Sequence, residues 1–325
     1  MLLLLLILSM LPGLNGIHAH LDDVYEVVHI HTNHAIGKEK VSCIISGIDG
    51  SILNYTLTLY SQELVSPFYT SYTYNDKEIL TANNTDIEKC HYQAHSNGNK
   101  IAALSTCGGG FSGLIRGDSE TGDLAIYPAT RYLEANSLEK HMTRLRNAQA
   151  GECENDIVCS EISIHSIHVI YAIQQKEDYM FSRAIKDTAL HTIQRSLQSD
   201  SASGDSEIEQ LYIELLVIND FTRFTKLGHQ VEIDTFNIVN IMDLLYDSIP
   251  NYNIHIVLTG QVTFAHLDPW VVPSPIGHLN QIDHVKILRN IYTWLPEHEF
   301  KVSFDVIQIF SGLDFLESAV SYYIL

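Results

Sequence analysis

Basic residues are scarce in this chain. Nineteen Lys and Arg stand against 39 Asp and Glu, a formal net charge of −20 at pH 7. A surface of that sign repels polyphosphate, which excludes nucleic acid as a partner and equally disfavours anionic membrane surfaces. Long apolar runs are missing beyond the first dozen residues. Nothing downstream reaches the roughly 20 consecutive apolar residues of a membrane-spanning helix. Cysteine is both sparse and odd in number: Cys43, Cys90, Cys107, Cys153 and Cys159. In an oxidising compartment most would pair, and an odd count leaves at least one free or bonded to another chain. The apolar fraction, 46% of 325 residues, excludes a disordered chain and supports about two domains of ordinary size.

What the N-terminus does have is a compact apolar run. Met1 leads into Leu2 through Leu8 by way of Ile7, Pro12 and Gly13 break the run, and small residues follow at Gly16 and Ala19. An apolar segment too short to cross a bilayer, followed by small residues, reads as a cleaved signal peptide over residues 1–19. A buried N-terminal strand or helix is the alternative, and the missing Lys or Arg ahead of the run favours it slightly. A leader predicts a soluble, extracellular product of the secretory pathway. It also gives meaning to two short sequons, Asn54-Tyr55-Thr56 and Asn83-Asn84-Thr85, as glycosylation sites.

The body of the chain divides by pattern. Residues 24–31 and 53–60 are rich in β-branched and aromatic residues and alternate apolar with polar, which predicts strands. Residues 90–128 continue so, with Gly108-Gly109-Gly110 marking a turn. Residues 178–198 carry Tyr179, Ala184, Ile185, Ala189, Ile193 and Leu197 near helical spacing. Residues 199–206 are small, polar and linker-like. Beyond them, residues 211–218 form a near-continuous apolar run, as in a strand buried on both faces. Val231, Phe236, Ile238, Val239, Ile241, Met242, Leu244 and Leu245 predict an amphipathic helix over 230–248, and residues 253–259 a second strand. Strand, helix and strand in that order make a βαβ unit and a parallel sheet.

Two stretches carry a resemblance. The first is Cys90-His91-Tyr92-Gln93-Ala94-His95, then Ala102 to Gly109 (Ala-Ala-Leu-Ser-Thr-Cys-Gly-Gly), Phe111-Ser112-Gly113-Leu114-Ile115-Arg116 and Ile126-Tyr127-Pro128. It is similar to the pro-domain signature of reprolysin zinc metalloproteases, the ADAM, ADAMTS and snake-venom enzymes, with Ala94 for the usual Gly and Tyr127 for the usual Glu. The second covers 211–325: Tyr212 to Asp220, Phe236 to Asn240, Asn253 to Gly260 and Phe304 to Gly312 resemble the opening strands and helix of that family's protease domain. The implied fold is α+β, a β-rich pro-domain over 20–198, a linker over 199–206, and an incomplete α/β metzincin-type protease domain over 207–325. The implied activity is metalloendopeptidase proteolysis.

The family's chemistry sits on HExxHxxGxxH, whose three His ligate zinc while the Glu deprotonates the attacking water. No such set occurs in the 325 residues. The nearest form, His298-Glu299, has Val302 at the second ligand position and reads as a surface turn. The resemblance therefore implies zinc as cofactor without a zinc site here, and predicts a chain ending before the motif that does not cleave peptides. The alternative is a non-catalytic pro-domain protein that binds, inhibits or chaperones a related metalloprotease. An incomplete domain is further expected to leave its sheet and first helix without a covering layer, exposing apolar surface.

The remaining candidates follow from the same comparison. The family pairs its equivalents of Cys90 and Cys107 as a disulfide. Cys153 or Cys159 falls where the family keeps an inhibitory zinc-binding cysteine, or the two bond to each other, which leaves Cys43 as the odd thiol. Glu214 and Asp305 match carboxylates of a structural calcium site, only half of which would be present. Among 17 histidines, His29 and His31 share one strand face near His34. No Cys or carboxylate completes a metal set there, so exposed strand positions are expected, and likewise for His165 with His168 and His278 with His284.

Overall fold

The computed structural model describes the backbone of 5–8 and residues 25–32, 37–47, 51–61, 63–75, 78–82, 89–117, 122–131, 133–150, 164–173, 210–247, 249, 252–269, 284–295, 298 and 300–312. The helix expected over 178–198, the linker over 199–206, Cys153, Cys159 and Asn83 lie outside these residues. In chain order the strands are β1 (Leu5–Leu8), β2 (Tyr25–Thr32), β3 (Lys40–Ser46), β4 (Ile52–Leu59), β5 (Val65–Asn75), β6 (Glu78–Ala82), β7 (His91–Ser96), β8 (Asn99–Ser105), β9 (Ser112–Ile115) and β10 (Asp123–Pro128). Helix α1 (Ala135–Ala150) and β11 (Ile167–Ile173) follow, then β12 (Gln210–Asn219), α2 (Phe221–Leu227), α3 (Val231–Tyr246), β13 (Asn253–Phe264), α4 (His284–Trp294) and β14 (Val306–Phe310).

Eight strands of the N-terminal part close into an antiparallel barrel in the order β10-β11-β2-β3-β4-β7-β8-β9. Period-2 alternation decides what fills it. Val28 and Ile30, Val41, Cys43 and Ile45, Leu57, Tyr92 and Ala94, Ala102 and Leu104 all point inward and are buried. Closure requires β9 to approach β8 closely at Gly113, whose φ is +151° and where a Cβ would lie 2.0 Å from the Ala103 carbonyl oxygen. No other residue type fits that backbone and that gap. Outside the barrel, Leu138 and Leu145 of α1 pack on Val27, Ala125, Tyr127 and Val169.

A six-stranded sheet stands beside it, in the order β1-β14-β12-β13-β5-β6. Strands β12, β13 and β14 are mutually parallel, as the strand–helix–strand pattern predicts. The β5–β6 hairpin comes from the N-terminal part, yet β5 pairs parallel with β13, so one sheet draws on both parts of the chain. Gly260 sits where β13 shifts register against β5; a Cβ there would meet the Thr70 carbonyl oxygen at 2.9 Å. The backbone of Leu5–Leu8 lies parallel to Val306–Ile309 at the opposite edge.

Three sequence expectations change in this setting. Strand β12 is buried on both faces only from Leu215 onward; Tyr212 is 59% exposed, where the strand pairs with β13 alone because β14 begins opposite Leu215. Helix α3 is not amphipathic in effect: it lies between the sheet and the barrel, and buries Asn237, Asn240 and Asp243 along with its apolar residues. The expected bare sheet face is also covered. Ile291 and Trp294 of α4, with Leu295, Phe300, Val302 and Phe304, pack on Leu216, Ile218, Val262, Ile307 and Ile309. The architecture is mixed α+β and rich in strands.

Candidate functional site

Parallel pairing of β12 with β14 sets Leu215 against Val306 and so brings Glu214 beside Asp305. The Glu214 N–H donates to Asp305 Oδ2 at 3.0 Å, the Asp305 N–H donates to the Glu214 carbonyl at 2.8 Å, and the Ser303 hydroxyl donates to Glu214 Oε2 at 2.8 Å. One half-buried and one exposed carboxylate, with two of their oxygens already accepting, fall well short of the six to eight oxygens calcium takes. Among the described residues no third carboxylate joins them, so these residues do not make a calcium cage.

The zinc set fares no better. His298 is a turn residue as the sequence predicts: its ring stacks on Trp294 at 4.0 Å between centroids, and its Nδ1 lies 2.9 Å from the Trp294 carbonyl. One trio of potential ligands exists among the described residues, Cys90, His91 and Cys107, with atoms within 4.8 Å of one another. Cys90 and Cys107 form a disulfide, however, and bonded sulfurs offer no thiolate to a metal. The residues described do not fit zinc.

That disulfide staples the chain entering β7 to the chain leaving β8, where the Thr106 N–H also donates to the Cys90 carbonyl at 2.9 Å. His91 lies beside it, 3.5 Å from Cys107 Sγ, with its ring edge on Phe236 of α3. Burial holds its imidazole down at about 4, hence neutral. Cys43 is the free thiol among the described residues; it fills the barrel interior, where burial pushes it up to about 12 and makes it inert. Asn54, exposed on β4, is sterically open to a glycan.

Two histidines expected at the surface are inside. His29 is 1% exposed on β2, and burial with His31 nearby lowers its pKa. His168 is equally buried, accepts from the Phe111 N–H at 2.8 Å through Nε2, and is held at about 4 by burial. Both residues sit on barrel strands with neighbours on either side, which the local pattern does not reveal.

The densest polar chemistry lies where the barrel meets α3. Lys100 of β8 donates from Nζ to Asp243 Oδ2 at 2.6 Å, with the two side chains 4% and 0% exposed. Gln93 of β7 donates to the same oxygen at 2.8 Å and to Asn240 Oδ1 at 3.1 Å, and the Asn240 amide donates to the Tyr92 carbonyl. The Ile256 N–H of β13 donates to Asp243 Oδ1 at 2.9 Å, so one carboxylate ties barrel, helix and sheet together. Asp247 caps α3 and accepts the Lys100 N–H at 2.9 Å. Arg116, from the chain leaving β9, donates to the last carbonyls of the helix, Leu244 at 2.6 Å and Leu245 at 3.4 Å, placing a cation at the negative end of its dipole.

A second polar node fixes the ends of the parallel strands. Asp220 caps α2 by accepting the Arg223 N–H at 2.7 Å, and it receives the Ser311 hydroxyl and the Gly312 N–H across from β14. Arg223 pairs with Asp234 of α3 and reaches Asn219. Asp268 accepts the Phe221 N–H, and burial plus the neighbouring Asp220 push it up to about 7.

Sequence reasoning named Glu214 and Asp305, which the structure sets side by side, and Cys90 and Cys107, which it bonds, and missed the polar stripe of α3. Its signal was present: Asn237, Asn240, Asp243 and Asp247 recur at three- and four-residue steps in an otherwise apolar helix. Gln93 and Arg116 lie within the two N-terminal segments quoted for their resemblance. Residues 211–324, which contain β12 to β14, the capped α2 and the gripped α3, match the model of the reprolysin (M12B) family of zinc metalloproteases. Residues 211–324 are thus the reprolysin-type part of the chain.

Proposed function

We propose that the chain is a secreted reprolysin-type zymogen segment, in which residues 20–198 form the pro-domain and clamp the opening part of the protease domain, residues 207–325. The observation that carries this reading is the clasp on α3. An ion pair with both side chains buried, shared amides and a cation on the helix C-terminus are the contacts of a built interface rather than of two domains that drift apart. The β5–β6 hairpin extends the same grip by covering the β13 edge, which would otherwise stand open to pairing with other chains.

On this reading the barrel is an intramolecular chaperone and inhibitor. The zinc chemistry of the family belongs to a ligand set these 325 residues do not contain, so peptide hydrolysis is not assigned to this polypeptide. Secretion rests on the apolar leader of residues 1–19 and on the sequons at Asn54 and Asn83. No described helix is long and apolar enough to cross a membrane. The acidic surface argues for protein partners, a related metalloprotease first among them, and against nucleic acid.

Expression of residues 1–325 in a secreting cell, with and without Lys100→Met, tests the reading. The wild-type chain is expected in the medium, lacking its leader and shifting on deglycosylation, while the variant is retained or aggregates because Asp243 is left buried without its cation. A cytosolic product that keeps Met1, or a variant secreted and folded as well as the wild type, overturns it.

A further inference from the structure

The clasp contains an element that its holding role does not require. His255 of β13 enters the cluster from the sheet side, and its Nδ1 lies 3.4 Å from Lys100 Nζ and 3.4 Å from the Tyr60 hydroxyl. An ammonium only donates, so Nδ1 must accept, which fixes the neutral tautomer with the hydrogen on Nε2. Among the described residues that buried Nε2 has no hydrogen-bond partner. The ring itself is held in place by stacking on Tyr212 of β12 at 5.4 Å between centroids. His255 is therefore bound in one protonation state, beside a buried cation that spans the two parts of the chain.

We propose that His255 makes the clasp acid-labile: a proton on Nδ1 removes the second acceptor of Lys100, beside Asp243, and loosens the barrel from the protease part in a mildly acidic compartment. This rests on the reading of the barrel as a clamp. The step is a simple protonation, in which Nδ1 gains a proton from solvent and the Lys100 N–H···N contact becomes two donors face to face.

Charged groups face His255 from β7, β8 and α3. Lys100 of β8 opposes protonation, and so does His95 of β7. Asp243 and Asp247 of α3 favour it; Asp243 Oδ1 is 3.9 Å from Nδ1. That oxygen already accepts the Ile256 N–H and at 3.9 Å lies beyond hydrogen-bond reach of Nδ1, while the other Asp243 oxygen holds Lys100 and Gln93, so the new donor gains no close acceptor unless the ring moves. Tyr60 and Tyr212 are the remaining titratable neighbours; burial first and Asp243 next push the Tyr60 phenol well up, so it stays neutral in acid. Burial is the largest influence and Lys100 the next, and together they lower the His255 pKa below 6.5. For a group depressed in the docked state, docking is fully supported above the undocked pKa. It weakens as pH falls below that value, by at most about tenfold per pH unit for one proton. His95 faces the same Lys100 and is likewise lowered, by burial first and Lys100 second, and acts in the same direction.

Amide hydrogen exchange on the full chain tests this, read at Lys100 and Ile256, whose N–H groups bond Asp247 and Asp243. Between about pH 7.5 and about pH 5.5, protection of these amides, corrected for intrinsic exchange, is expected to fall by up to about tenfold in the wild type. In His255→Gln, whose amide oxygen accepts from Lys100 but does not titrate, the fall is expected to be smaller, leaving only the part that His95 contributes. An equal fall in both proteins overturns the proposal and assigns the effect to His91, His168 or His95. Should the variant not be secreted, NMR titration of His255 in the wild-type chain replaces it, and a midpoint at or above about 6.5 overturns the proposal. Lys100→Met at about pH 7.5, read at the Ile256 amide or, where the variant is not secreted, by its retention, separates the two ideas. Secretion with unchanged protection removes the clamp and the switch together, whereas retention or lost protection combined with a pH-independent wild type removes only the switch.

Discussion

The barrel interior and the clasp on α3 are buried to a similar degree but are built from opposite materials. Inside the barrel, Leu57, Leu104, Ile115 and Ile126 are fully buried among apolar neighbours, and cohesion there is non-directional burial of area. At the clasp, Lys100, Gln93, Asn240 and Asp243 are as dry, but each is held by named partners at fixed distances. Apolar packing tolerates many residue choices of similar volume. A buried carboxylate accepting from Lys100, Gln93 and Ile256 tolerates almost none, because losing one partner strands another. The first region makes a stable module; the second decides what that module holds.

The largest effect that would sharpen this contrast is at Asp243. Asp243→Ala leaves the Lys100 ammonium buried and unpaired, and is expected to cost roughly 3–5 kcal/mol in urea unfolding of the secreted chain. The double change Asp243→Leu with Lys100→Met should cost much less than the sum of the two single changes. Additive losses would show that the pair is not the directional contact described here.

Next in size is the barrel core. Leu57→Ala should cost about 2–5 kcal/mol by opening a cavity, with no preference for the clasp amides in hydrogen exchange. A loss confined to the clasp amides would mean the two regions are not distinct in material. Arg116→Met should cost about 1 kcal/mol, since it removes a cation from a helix terminus, and the loss should shrink in high salt. A salt-independent loss would point to packing by the Arg116 stem instead.

The smallest effect is expected at the exposed carboxylates. Asp305→Asn should change stability by less than about 1 kcal/mol, and calcium should not raise the melting temperature of the wild-type chain. A calcium-dependent rise that Asp305→Asn abolishes would show that Glu214 and Asp305 bind the ion after all.

Much of the frame is legible in the residues. Alternation over residues 24–31 and 53–60 is strand because side chains of period two fill a barrel from one face only. The run over 211–218, the helix of 230–248 and the strand starting at 253 give a parallel βαβ unit because an apolar strand needs cover on both sides. Cys90 and Cys107 bond as the family resemblance implies. Long-range placement was not legible. His29 and His168 read as exposed because a strand's own pattern does not say how many neighbours it has. The helix over 230–248 reads as amphipathic, with a wet side, because polarity alone does not distinguish water from the matched partners that Asn240 and Asp243 have.

By itself, the sequence determined the elements, the sign of the surface charge, the family of residues 211–324 and the lack of a three-histidine zinc set, since each is written in neighbouring residues or in composition. Tertiary structure alone decided that β5 and β6 complete a sheet begun more than a hundred residues later, and that Lys100 meets Asp243 across 143 positions. The physical reason is that a buried charge selects its partner by geometry and desolvation, which depend on what else is excluding water at that point. The same dependence turns His255, one histidine among 17 in the sequence, into the group beside which a buried lysine must find its acceptor.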